Sequence, residues 1–142
     1  MNVEKLKQMI LDDSKSDRTE LAKDALHVAY LYGKYLNLYE DENHRLKRLK
    51  QHFKIVNRKL WEYYTGKASP KVYKEKPFHL KLLKTDVALY IQSDSEYQTA
   101  EDEIFTQERV VNLLKGAMAV VDKKGWAIKN ALDDIKWKQG VA

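Results

Sequence analysis

Apolar residues recur at helical spacing along most of this chain, in three runs separated by polar or turn-forming segments. The first run, Val3, Leu6, Met9 and Ile10, ends at Asp12-Asp13-Ser14-Lys15-Ser16. Ser16 or Asp17 can cap the helix that follows, with Glu20 near the third helical position as in a capping box. From Arg18 to about Tyr64 there is no proline and a single glycine, Gly33. Here Ala25, Tyr32, Tyr39, Leu46, Phe53 and Leu60 step by seven, and so do Leu21, Val28, Tyr35, Leu49, Val56 and Tyr63, with Glu42 interrupting the second series. A sustained heptad predicts a long helix whose seam packs on another helix, of this chain or of another subunit. If it is unbroken between Asn37 and Asn43, its length is about 70 Å at 1.5 Å per residue, which favours an oligomer.

Thr65-Gly66-Lys67-Ala68-Ser69-Pro70 stops this helix, and a lysine-rich linker follows to Pro77. Residues 78–92 read as a β-hairpin: Leu80 and Leu82 alternate before Lys84-Thr85-Asp86, and Val87, Leu89 and Ile91 alternate after it. A short amphipathic helix would give much the same letters. In the last region, 101–138, Ile104, Phe105, Val111, Leu114, Met118 and Val121 form one stripe. Gly125 after Lys123-Lys124 resembles a helix end with cations at its C-terminal dipole. A final segment carries Trp126, Ile128, Leu132, Ile135 and Trp137, more apolar surface than a short tail buries on itself. The expected architecture is therefore mainly α, one domain over 1–142. It has a helical 1–66 that includes a basic helix 43–66, a small hairpin at 78–92, and a C-terminal helical oligomerisation region at 101–138. Leu114, Met118, Val121, Trp126, Ile128, Leu132 and Ile135 are its expected interface residues.

Length and composition narrow the class. At 142 residues and 16.7 kDa one domain is the default. Hydrophobic residues at 44%, charged residues at 33% and a mean hydropathy of −0.65 allow a core beneath a heavily charged surface. No stretch approaches the roughly 20 apolar residues of a membrane span, and Met1-Asn2-Val3-Glu4-Lys5 lacks the apolar core of a signal peptide, so a soluble protein that stays where it is made is expected. The absence of cysteine excludes a disulfide framework, a thiol nucleophile and thiolate metal ligation, and fits a reducing cytoplasm. Net charge is only +5, but it is unevenly spread. Residues 43–85 hold 13 basic and 2 acidic groups, whereas residues 86–108 hold 7 acidic and no basic ones. A polyanion can bind the first block while the second covers it or repels strays; a plain solvated helix face is the competing explanation.

No catalytic constellation emerges. His27, His44, His52 and His79 form no zinc-binding pair and adjoin no nucleophile elbow. Glu101-Asp102-Glu103 and Asp133-Asp134 read as surface carboxylates rather than magnesium ligands. Thr65-Gly66-Lys67-Ala68-Ser69 lacks the upstream glycine and strand of a phosphate loop. No enzyme, metal or cofactor is expected. Nucleic-acid binding is better supported. Arg45, Lys47, Arg48, Lys50, Lys54, Arg58 and Lys59 fall outside the apolar seam, so one helix can bury its seam and present cations to phosphates. Trp61 and Tyr64, with Lys67 just beyond, supply rings of the kind on which unstacked bases pile. Tyr63 continues the heptad and reads as core.

The run Leu60-Trp61-Glu62-Tyr63-Tyr64-Thr65-Gly66 after a basic helix, with Leu31-Tyr32-Gly33-Lys34-Tyr35-Leu36-Asn37, Gly116-Ala117-Met118 and Lys124-Gly125-Trp126-Ala127-Ile128-Lys129, resembles the UvsY recombination mediators of T-even-type phages. The resemblance extends over nearly the whole chain and is weakest over Pro77 to Glu108. It implies a non-enzymatic accessory protein, acting in the cytoplasm of an infected bacterial host. Such a protein binds single-stranded DNA, forms a ring of six or seven subunits through its C-terminal region, and helps a UvsX-type phage recombinase displace the phage single-strand-binding protein. Counted back from the tyrosine pair, the family's DNA-contact motif Lys-Ala-Arg-Leu places Arg58 at the lysine, Lys59 at the alanine and Leu60 at the arginine. One cation thus carries over, and Lys59 stands beside the second. The alternative function is a scaffolding coiled-coil protein whose basic helix meets an acidic protein partner.

Overall fold

The computed structural model describes residues 1–140; the last two residues of the expected 1–142 span lie outside it. Helices α1 (Val3–Asp13), α2 (Leu21–Tyr64), α3 (Pro70–Glu75), α4 (Lys84–Ser93) and α5 (Ser95–Lys138) follow one another, with a 3₁₀ turn at Arg18–Glu20. No strand occurs among the described residues, and none of these helices is long and apolar enough to cross a membrane. The chain forms two compact units: residues 1–44 with 108–142, and residues 45–107. Both long helices contribute to each.

In the first unit, Leu6 of α1, Leu31 and Tyr35 of α2, and Val110, Leu114, Ala117 and Val121 of α5 form a buried cluster. Asn2 caps α1 by accepting from the Lys5 amide at 3.1 Å. Asp17 accepts from the Thr19 amide at 2.9 Å, and its own amide donates to Asp24 at 2.9 Å. Asp24 thereby takes the part expected of Glu20 in the capping box. Lys115 lies over the Tyr39 ring and Val28 comes up to Gly125, so α2 and α5 are antiparallel here.

Helix α2 is continuous through Asn37–Asn43 and, at 44 residues, is about 66 Å long. Its strict heptad does not hold. Ala25 and Tyr32 are exposed, while Leu31 is buried and Leu38 packs on the cluster. The buried and half-buried positions of the seam run Val28, Leu31, Tyr35, Leu38, Glu42, Leu46, Leu49, Phe53, with two successive steps of four around Glu42. The cause is geometric: a straight helix drifts about 20° per heptad, and an extra step of four resets the seam. Helix α5 keeps the seven-residue phase, with Ala100, Gln107, Leu114, Val121 and Ile128 all buried.

Two further expectations are corrected. Residues 78–92 are not a hairpin: a segment without regular structure leads to α4, whose Val87 and Ile91, one helical turn apart, enter the core of the second unit while Leu89 stays exposed. Gly125 does not end a helix, since α5 passes through it. An isolated glycine costs a helix only about 1 kcal/mol, less than the packing of Val121 and Ile128 on either side supplies.

Candidate nucleic-acid interface

All ten residues expected to contact nucleic acid lie in the second unit. Its core is Leu60, Val87 and Ile91 with Val56, Tyr64, Leu82 and Tyr97 packed around them. Helix α2 ends in a Schellman motif: the Lys67 amide donates to the Glu62 carbonyl at 2.8 Å and the Gly66 amide to Tyr63 at 3.4 Å. Gly66 has φ +77°, which a side chain would strain. Ser69 and Pro70 then start α3, where Tyr73 stacks on Tyr63 at 5.4 Å and donates its hydroxyl to the Tyr63 carbonyl at 2.7 Å. This folds the chain back, so that residues 80–84 line a groove with the end of α2.

Steps of three and four from Lys47 through Lys50, Lys54 and Arg58 to Trp61 place these five residues on one stripe of α2. Arg48, His52 and Lys59 form a second stripe. All the cations are exposed, Trp61 is 43% exposed, and Arg58 is paired with Glu62 at 3.1 Å. Two grooves meet at Trp61. One, of about 590 Å³, is lined by Lys54, Asn57, Arg58 and Trp61 from α2 and by Lys84, Val87 and Gln92 among others across from them. The other, of about 650 Å³, runs from Trp61 and Tyr64 past Lys67 to Leu80, Lys81 and Lys84. Neither lining contains a carboxylate. Lys67 holds its amine 4.4 Å from the centre of the Trp61 ring. Lys81 and Lys84 also line this candidate site but are not among the residues expected from the sequence, because only the turn after α2 brings them to Trp61.

The second stripe has different surroundings. His52, Ile55 and Lys59 line a groove with Glu96 and Glu103, and Leu49 lines the next with Asp102 and Glu103. Tyr64 also differs from Trp61. Its hydroxyl donates to buried Asp94 at 2.6 Å, and its ring packs edge-on against Phe78 and Tyr63. Burial, then the hydrogen bond and charge of Asp94, push the Tyr64 hydroxyl far above its ordinary value, so it stays neutral. Tyr63 is buried, as expected of a core residue.

Of the residues expected at an oligomer interface, Leu114, Val121 and Ile128 are enclosed within the chain's own unit, while Met118 and Leu132 are half-buried. Trp126 (60% exposed) and Ile135 remain open, as do Trp137, Leu26 and Tyr30. No group of three or more His, Asp or Glu suited to a metal ion occurs among the described residues.

Three solved structures of the bacteriophage T4 recombination mediator protein UvsY share this fold. One matches at TM-score 0.88 and 20% identity over 98% of both chains. Two other lattice forms match at 0.85 and 0.83, each at 19% identity, over 94% and 97% of this chain and 98% and 99% of the other. Curated proteins yield no sequence match. The sequence pattern of the family described as "Recombination, repair and ssDNA binding protein UvsY" matches residues 9–141, nearly the whole chain, and the protein belongs to that family.

Proposed function

We propose that this chain is a single-stranded-DNA-binding recombination mediator, which helps load a phage recombinase onto DNA covered by single-strand-binding protein. The observation that carries the reading is the pair of carboxylate-free basic grooves meeting at a half-exposed tryptophan. Cations along a groove supply sequence-independent attraction for phosphates, and an exposed ring offers any base a stacking surface that a duplex does not fill. Lys47, Lys50, Lys54, Arg58, Trp61 and Lys67 form the contact stripe. Arg45 supports it as long-range charge and Tyr64 as packing, while Arg48 and Lys59 lie on the other stripe, Lys59 beside Glu96 and Glu103.

Function in this reading depends on assembly. A homo-oligomer, built through Trp126, Ile135 and neighbouring exposed apolar groups, multiplies one weak site into many linked ones, and linked sites gain avidity without new contacts. DNA held on such a ring stays extended for the recombinase while the competing single-strand-binding protein is displaced. The testing experiment is a salt titration of a fluorescent oligo-dT against a duplex of equal length. Preference for the single strand, with log affinity falling about 0.7 for each phosphate neutralised per log unit of salt, is expected. Equal binding of both, or flat salt dependence, rejects the reading in favour of a scaffolding protein for an acidic partner.

A further inference from the structure

Both flanks of α2 carry cations, but their surroundings differ. On the α4 flank, Lys54 and Arg58 face Lys84 across one groove, and Lys67, Lys81 and Lys84 surround the next, with no Asp or Glu in either lining. On the α5 flank, His52 and Lys59 face Glu96 and Glu103. Resting on the single-strand reading above, we propose that the strand crosses α2 on its α4 flank alone. It passes over Trp61 from one groove to the other, and Lys81 and Lys84 are phosphate contacts lying outside the basic helix.

Three features support this path. Trp61, Lys84 and Val87 line both grooves, so a strand following them passes from one to the other without leaving cationic walls. Lys84 opens α4, a position where the helix dipole disfavours a cation and no side chain caps the helix, so it gains nothing locally from its charge. A phosphate in the grooves gives that charge a partner. Third, a polyanion on the α5 flank meets Glu96, Asp102 and Glu103, and like-charge repulsion there offsets the pull of Lys59 and Arg48.

The test compares two double variants by oligo-dT binding across salt. Lys81→Ala with Lys84→Ala should weaken binding about tenfold at low salt and lower the log–log salt slope by about 1.4, two phosphates at roughly 0.7 each. Arg48→Ala with Lys59→Ala should change affinity by less than about twofold. All four side chains are exposed, and circular dichroism with sedimentation checks that fold and assembly persist. A second measurement needs no variant: photocrosslinking of bromodeoxyuridine oligonucleotides to the intact protein should label residues 61–67 and 80–88. Equal losses in the two variants, a larger loss in the second, or crosslinks concentrated in 95–107 would overturn the path and leave single-strand binding standing. An intact protein that binds no single strand overturns both.

Discussion

Lys124 of α5 donates its amine to the main-chain carbonyl of Asp13, 111 residues earlier, at 3.1 Å, and to that of Lys15 at 2.7 Å. The last carbonyls of a helix have no partner within it, and a cation at that end also complements the dipole. Lys124 is 8% exposed, so little water replaces it when it is removed. Lys124→Met should therefore lower stability by about 1.5–3 kcal/mol, the range for hydrogen bonds to a charged group, read as an earlier urea midpoint with unchanged slope.

The same helix end sets a pH dependence. Burial raises the Asp13 carboxyl, but hydrogen bonds from Lys34 (2.8 Å) and Tyr35 (2.6 Å), with the Lys34 charge, outweigh it and leave the group below its ordinary 3.8. A carboxylate lowered by folding stabilises fully above its unfolded value and loses that contribution as pH falls through the folded one. Thermal stability should thus drop as pH is lowered below about 4, and Asp13→Asn should flatten that part of the acid limb. An acid limb of unchanged steepness in the variant would assign it to other carboxylates.

Trp61 and Tyr64 should separate cleanly. Trp61→Ala is expected to weaken oligo-dT binding by about 1–3 kcal/mol for each base stacked, with little change in melting temperature. Tyr64→Phe removes the hydroxyl from Asp94 and should lower stability while leaving affinity nearly intact. Calorimetry on both variants beside the binding assay decides the matter.

Gly116 lies inside α5 at negative φ, and a methyl group there would meet no atom within 4 Å. Gly116→Ala should raise stability by about 0.5–1 kcal/mol through helix propensity alone. Chemical denaturation at constant subunit concentration measures it.

Assembly is expected to depend on the apolar groups left open. Trp126→Ala combined with Ile135→Ala should give smaller species on sedimentation with helicity retained, because neither side chain belongs to a core cluster. These species should bind single-stranded DNA more weakly per assembly, as linked sites are lost. Unchanged sedimentation would remove this surface from the interface.

The helical character of the chain is plain in the sequence, and so is the basic stretch of α2 with Trp61 at its end, although the strict seven-residue spacing assumed for its seam does not hold. The hairpin misled because Val87 and Ile91 satisfy both alternation and a four-residue helical step; only Leu89, 64% exposed, tells the two apart. Lys123-Lys124 before Gly125 suggested a helix terminus, and Lys124 does cap one, but it is α1 rather than its own helix. Periodicity assigns residues to a face of their own helix and says nothing of what approaches that face. For the same reason it could not distinguish Lys59, near Glu96 and Glu103, from Arg58, across from Lys84.

The placement of Leu6 among Leu31, Tyr35, Val110, Leu114, Ala117 and Val121 bears on the order of events during synthesis. Helix α1 leaves the ribosome first, yet four of these six partners are translated about a hundred residues later, so its apolar face has no complete site until α5 emerges. Contacts that distant in sequence form late, since the loop they close must be ordered first. The first unit should consequently close only once α5 has been synthesised, and in refolding the amides of α1 should be among the last to gain protection from exchange.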